Sequence, residues 1–349
     1  MNDTHDTGRA VWIQLVLLSL LWGGSFFFAK IALADFPPLT LVWLRVILAC
    51  ITLALIMRLT GHAFPRSPSL WLACFAMGLL NNLVPFSLLF FGQLHIGAGL
   101  AAIFNALVPV FTVVAAHFFT RDEPLDRYRL GGVMLGFIGV ALLVSGPDAT
   151  HGKSTTLEFI AMIACIVAAA SYGLAAVYGR RFHAMGMTPL QVAFGQLAGT
   201  SVMMTPVALL IDQPIALPIP SVSSWLALAA LAIACTGLAY ILYFRILAAS
   251  GATTTSLVAF LIPISAIALS ALFLDERLQL NQLAGMLVIF VGLCCINPAI
   301  RRNLHQRMIT GRTPIRHLPF VQPSLIGTLQ CWSQRRHRQT VKGTSPCRH

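Results

Sequence analysis

A chain of 349 residues that is 57% hydrophobic and only 10% charged, with a formal net charge of +12, lies far from the composition of a soluble protein, in which about a quarter of residues are charged. A water-soluble core of this size cannot use that much apolar surface, which excludes an ordinary soluble domain. The eight cysteines are scattered, and Cys50, Cys74, Cys165, Cys235, Cys294 and Cys295 fall inside apolar segments. They read as small packing residues, with neither metal-ligand spacing nor a disulfide framework.

A helix needs about 20 apolar residues to cross the hydrocarbon layer, and the first apolar run, 11–29, meets that length. In chain order, apolar segments recur at 11–33, 39–57, 70–91, 97–119 and 130–145, then at 157–178, 190–211, 225–247, 252–274 and 280–296. Turn and charge signals separate them, among them Phe36-Pro37-Pro38, Arg66-Ser67-Pro68 and Ser145-Gly146-Pro147-Asp148. The first run competes with a cleaved signal peptide, because Ala32-Leu33-Ala34 has the small-x-small form of a cleavage site. It is longer than a usual signal core, and Lys30 interrupts it. The runs are too long and too evenly apolar for the alternating strands of a barrel. The expected fold class is therefore an all-α integral membrane protein with ten transmembrane helices.

Lysine and arginine set the orientation. With a cytoplasmic N-terminal segment, 1–10, the inner connections hold Arg9, Arg58, Arg66, Arg121, Arg127, Arg129, Arg180, Arg181 and Arg245, against Lys30, Lys153 and Arg277 outside. Nine against three predicts both termini in the cytoplasm, and the expected location is the inner (plasma) membrane.

The chain also repeats itself. Ser69-Leu70-Trp71-Leu72-Ala73 aligns with Ser223-Ser224-Trp225-Leu226-Ala227, and the same shift of 154 residues lays Gly97-Ala98 on Gly251-Ala252 and Pro109 on Pro263. With slightly smaller shifts Trp22-Gly23 lies on Tyr172-Gly173, Lys30 on Arg180, Pro38-Leu39 on Pro189-Leu190, and Glu123-Pro124-Leu125 on Glu276-Arg277-Leu278. Five helices per copy, an odd number, make the copies enter the membrane in opposite directions. The predicted organisation is a first repeat, 11–145, a linker, 146–156, and a second, inverted repeat, 157–297. Such repeats usually enclose a midplane substrate site and rock about it to give alternating access. A duplicated bundle with no pathway is the competing reading.

Leu21-Trp22-Gly23-Gly24-Ser25-Phe26, Pro37-Pro38 with Leu44-Arg45, and the stretches from Gly97 to Pro109 to Glu123 and from Gly251 to Pro263 to Glu276 resemble the drug/metabolite transporter superfamily. The likeness is to its EamA-like branch of ten-helix permeases and spans about 11–296. It implies two inverted five-helix repeats around a central cavity, and export of amino acids or related small metabolites; proton coupling is the driving force to test. It says little about which substrate.

No Asp or Glu lies deep in any span, whereas a cation/proton antiporter normally needs such a carboxylate. Arg45, about two turns from the outer end of the second span, is the one full charge well inside a span. Two readings stand: it reaches helix-end carbonyls or snorkels to the outer interface, or it meets a substrate carboxylate, with Gln196 as its neutral counterpart in the second half. Further substrate-cavity candidates are Trp22, Ser25, Asn81, Asn82, Asn105, Tyr172, Thr236 and Tyr240. For the aromatics packing or an interfacial belt is the alternative; for the amides it is interhelical hydrogen bonding. Pro109 and Pro263 are candidate kinks or gating pivots, and Glu123 and Glu276 read as structural helix-end acids, in salt bridges or as caps. Gly132-x-x-x-Gly136 permits close helix approach but is a weak dimerisation signal.

Enzyme readings fare badly. His117 and Asp122 have an acyltransferase-like spacing, but the repeat puts Ala271 opposite His117. No phosphate loop or metal cluster appears, so no cofactor is expected. From 298 to 349 there are ten Lys or Arg, four His and no acid. This reads as a disordered cytoplasmic tail drawn to anionic lipid headgroups by about 1 kcal/mol per basic residue, or as the product of a shifted reading frame. Nucleic acid is not an expected partner. The expected partners are a small-molecule substrate and the bilayer, with the chain a monomer or a homodimer. The competing functions are a non-transporting sensor or scaffold and a passive facilitator.

Overall fold

The computed structural model describes residues 3–63, 67–120, 126–144, 156–243, 245–246, 255 and 258–296. Glu123, Asp122 and the basic tail, with the expectations attached to them, lie outside the described residues. Among the described residues, and leaving aside the short helix Arg181–Ala184 and the 3-10 turn Pro214–Ala216, the longer helical stretches are α1 (Asp3–Ala32), α2 (Pro38–Leu59), α3 (Pro68–His95), α4 (Ala98–Phe119), α5 (Arg127–Val144), α6 (Thr156–Gly179), α7 (Pro189–Ile211), α8 (Val222–Tyr243), α9 (Val258–Phe273) and α10 (Leu280–Ile296). No strand occurs among the described residues. Seven helices, α1 to α4 and α6 to α8, are long and apolar enough to cross a membrane. By contrast α5 opens on Arg127 and Arg129, and α9 and α10 have 16 and 17 residues.

Local chemistry explains the starts. Proline, whose missing N–H is no loss in a first turn, opens α2, α3 and α7. Thr188 adds a capping box: its hydroxyl accepts from the Gln191 N–H at 3.4 Å, while the Gln191 side chain accepts from the Thr188 N–H at 2.8 Å. Large apolar side chains, such as Leu72 at 74%, Phe118 at 75% and Leu210 at 76% exposure, stand outward along the helices. A soluble surface would not carry such a belt, and lipid is its natural solvent.

The pairing of the helices is unchanged when α1 to α5, in order, are exchanged with α6 to α10. α5 packs on α10 and α2 on α7; α1 packs on α9 as α4 does on α6; α3 packs on α6 as α8 does on α1; and α3 packs on α7 as α8 does on α2. Glycines set the closest crossings. A Cβ on Gly173 would sit 2.7 Å from the Phe111 carbonyl carbon and 2.8 Å from the Thr112 nitrogen, and one on Gly23 would strike Ser265 and Ala266. Phe111 and Thr112 align with Ser265 and Ala266 under the 154-residue shift.

Two helices widen at aligned places. Leu79–Leu83 in α3 and Ala230–Leu238 in α8 are π-helical, each accommodating an extra residue per turn. In α3 Pro85 lies directly beyond and withholds an N–H from the carbonyl four residues back. In α8 the Thr236 hydroxyl donates to the Leu231 carbonyl five residues back, at 2.8 Å.

The proline pair departs from expectation. At Pro109 α4 is interrupted by a turn at Ala106 and Leu107 and restarts with the proline in its first turn, whereas α9 runs regularly through Pro263. The two prolines do not make equivalent kinks.

At the end of the bundle where α1, α7 and α9 finish, three carboxylates each hold the start of a helix from the other half. Asp212 Oδ2 accepts from the Thr40 N–H at 2.6 Å and from its hydroxyl at 3.0 Å. Glu276 accepts from the Ala98 and Gly99 N–H groups at 2.9 and 3.1 Å. Asp35 Oδ2 accepts from the Ser221 N–H at 2.9 Å and from the Ser221 and Ser224 hydroxyls at 2.5 and 2.7 Å. Each anion meets the positive end of a helix dipole.

The side-chain hydrogen bond from Ser221, then that from Ser224, then the Ser221 N–H, hold the Asp35 carboxyl below its ordinary value. Its cap is thus fully present above the ordinary aspartate range and is lost as pH falls through the lowered value. Ser221→Ala should move the Asp35 titration back upward, read by carboxyl NMR or infrared difference spectra; an unmoved titration would contradict the assigned contacts.

Candidate functional site

The polar side chains converge where helices of the two halves meet. Arg45, on α2, is only 5% exposed. Its Nε donates to the Thr236 hydroxyl of α8 at 3.0 Å and its Nη2 to the Ser25 hydroxyl of α1 at 3.2 Å. The guanidinium carbon lies 3.9 Å above the Phe86 ring centroid and 5.6 Å from that of Phe90, both on α3. A cation over a ring face is attracted by about 1 kcal/mol, more when water is excluded. Tyr172 on α6 packs edge-on against Phe86 at 6.4 Å, and the Arg45 charge reaches Tyr172, Cys235 and Tyr240. Arg45 therefore turns inward, away from the interface, and meets hydroxyls and a ring rather than helix-end carbonyls.

A second, neutral cluster mirrors the first. Asn81 Nδ2, in the π segment of α3, donates to Gln196 Oε1 of α7 at 3.0 Å and to the Tyr240 hydroxyl of α8 at 3.4 Å. The next residue, Asn82, donates to the Thr200 hydroxyl at 3.2 Å, while its buried Oδ1 has no partner among the described residues. Since Gln196 aligns with Arg45, and Asn82 with Thr236, the α2–α8 contact between the halves recurs on exchange as the α7–α3 contact.

The structure thus links Ser25, Arg45 and Thr236 directly, joins Asn81 to Tyr240 through hydrogen bonding, and attaches Tyr172 through Phe86. Trp22 pairs with Tyr243 at 5.4 Å. Asn82 turns to α7, and Asn105, at the break in α4, keeps a buried Oδ1 without a partner among the described residues. Sequence reasoning missed Phe86 and Phe90. Their spacing of four, starting one turn beyond Asn82, puts them on one helical face and was the available signal. Glu276 accepts from the first free N–H groups of α4. Among the described residues no group of three His, Cys, Asp or Glu could hold a metal ion.

An all-helical chain with seven membrane-spanning candidates and a buried polar seam is a multi-pass membrane protein of the transporter class. The model of the EamA-like transporter family matches residues 10–145 and again 159–297, and the chain belongs to that family. It is 27% identical over 296 residues to the uncharacterized transporter YvbV of Bacillus subtilis, covering 82% of this chain and 90% of that protein. Protein PecM of Dickeya dadantii is 29% identical over 280 residues, 79% of this chain and 88% of PecM. The uncharacterized inner membrane transporter YedA of Escherichia coli K12 is 27% identical over 229 residues, 63% and 68% of the two chains. One solved crystal structure superimposes with a TM-score of 0.59 at 18% identity, covering 82% of this chain and 98% of that one. That likeness concerns the fold alone.

Proposed function

We propose that the protein is a secondary transporter that exports an amino acid or a closely related small metabolite across the inner membrane by alternating access. In this reading ten helices span the bilayer as two inverted repeats, 11–145 and 157–297, with both termini cytoplasmic. The observation that carries it is the polar seam around Arg45 and Gln196, buried between halves whose helix pairing is unchanged by their exchange. A sealed scaffold has no use for a buried cation whose bonding partners are neutral. The balance of nine inner to three outer basic residues supports the orientation, and the inner-membrane designation of YedA supports the membrane.

Metabolite profiling of medium from cells with and without the protein, followed by uptake into everted vesicles, tests the proposal. The expected result is one small metabolite enriched outside and accumulated by everted vesicles, with accumulation lost when the proton gradient is collapsed. Accumulation that survives collapse argues for another driving ion; equilibration without accumulation identifies a facilitator. No metabolite difference in either assay sinks the carrier reading.

A further inference from the structure

We propose that the ligand of this seam is an organic anion, held by its carboxylate or an equivalent acidic group on Arg45, and that such anions are taken in preference to zwitterions and cations. The inference rests on the carrier reading above, because it treats the seam as the place a ligand occupies, and it narrows the substrate from amino acids at large to acidic ones and to related carboxylates that lack the ammonium group.

The argument starts from unsatisfied charge. A guanidinium has five N–H donors in a planar fork suited to two oxygens of one acidic group. In Arg45 two bonds are made, both to neutral hydroxyls, on Thr236 and Ser25. Among the described residues no carboxylate touches it. Those with described side chains, Asp35, Asp126, Glu158, Asp212, Asp275 and Glu276, lie in connections or at helix ends. Burying a cation without a counter-ion is unfavourable, and a ring face offsets only part of that. Packing does not demand the charge either. The aligned position in the other half carries Gln196, where a neutral amide bonded to Asn81 makes the same interhelical contact. Charge at position 45 therefore answers a need that the fold does not create, and an entering anion meets it. An ammonium group would find ring faces, hydroxyls and amides, but no anion.

The test uses the purified full-length chain and two series, each built on one side chain, in which the acid lacks the ammonium and the amine lacks the carboxylate. These are 3-phenylpropanoate, phenylalanine and 2-phenylethylamine, and 4-methylpentanoate, leucine and 3-methylbutylamine, with binding read by tryptophan fluorescence and thermal shift. The expected result is at least one carboxylate binding about tenfold or more tightly than its zwitterionic and cationic relatives, the scale of a charge-assisted contact. Arg45→Gln should lose that preference and Arg45→Lys should keep it. Ser25→Asp, which places a carboxylate beside Arg45, should raise thermal stability while abolishing anion binding, and so serves even if Arg45→Gln fails to fold. The proposal is overturned if no carboxylate outbinds its relatives, or if Ser25→Asp binds anions as the unaltered protein does. An anion bound at Arg45 yet never carried into proteoliposomes would overturn the carrier reading and leave this one standing. A zwitterion carried while no anion binds would do the reverse.

Discussion

Replacing Gly139 by valine should cost the protein its folded state. A Cβ at this position would lie 2.8 Å from the Gly285 carbonyl oxygen and 2.6 Å from Ile289 Cγ1. The contact is reciprocal, since a Cβ on Gly285 would lie 2.8 Å from the Gly139 carbonyl, and Gly132 and Gly292 meet in the same way at 2.6 and 2.7 Å. Because the Gly285 oxygen is backbone, a rotamer change at Ile289 relieves only part of the clash, and α5 and α10 must move apart where they cross. Overpacking a core by one or two carbons usually destabilises by about 1–3 kcal/mol; here the loss should lie at or above the top of that range. Melting in detergent and yield of monodisperse protein check it. Gly131, one residue away, has nothing within 4 Å of its Cβ direction, and Gly131→Ala should change stability by less than about 0.5 kcal/mol. Equal melting of Gly139→Val and the unaltered protein would mean that the two helices do not cross as described.

The second large effect is expected at the capped end. Asp212 and Glu276 each bind a helix start belonging to the other half, so removing them leaves Asp35, on Ser221 and Ser224, as the one remaining carboxylate of the three that bridge the halves there. Loss of one such cap is worth about 1 kcal/mol, and two distant caps add to about 2 kcal/mol, a shift of about 30-fold in the balance of open and closed forms. A probe cysteine at Phe90, 2% exposed and close to Arg45, reports the change when the native cysteines have been removed. An impermeant maleimide added outside should label it about tenfold faster or more in the Asp212→Ala, Glu276→Ala double variant. An unchanged rate would show that these carboxylates do not hold that end shut.

Much of this was readable from residue order. Uniform apolar runs of about 20 residues have one physical outlet, a helix in lipid, so the helix positions follow closely. Ser25, Arg45, Asn81, Thr236 and Tyr240 stood out because polar atoms in such runs need partners. The partners were another matter. That Arg45 turns to Thr236, 191 positions later, depends on how α2 packs on α8, and local pattern carries no trace of it. The π turns were invisible because they change hydrogen-bond register and not composition. Asp35 and Asp212 were passed over as loop acids, since only the folded arrangement brings a distant helix start to them. The proline pair was over-read for the opposite reason: matching residues in two copies do not guarantee matching backbones.

The wide turns of α3 and α8 give those helices a freedom that regular ones lack. A surplus residue behaves like slack in a screw thread: if the bulge migrates, each residue it passes turns by about 100° and advances about 1.5 Å, while the helix on either side keeps its place. Phe86 lies just past one bulge and Thr236 within the other, on either side of the same guanidinium. A small twist in either helix could therefore bare that charge while every helix keeps its neighbours, with no bundle needing to come apart.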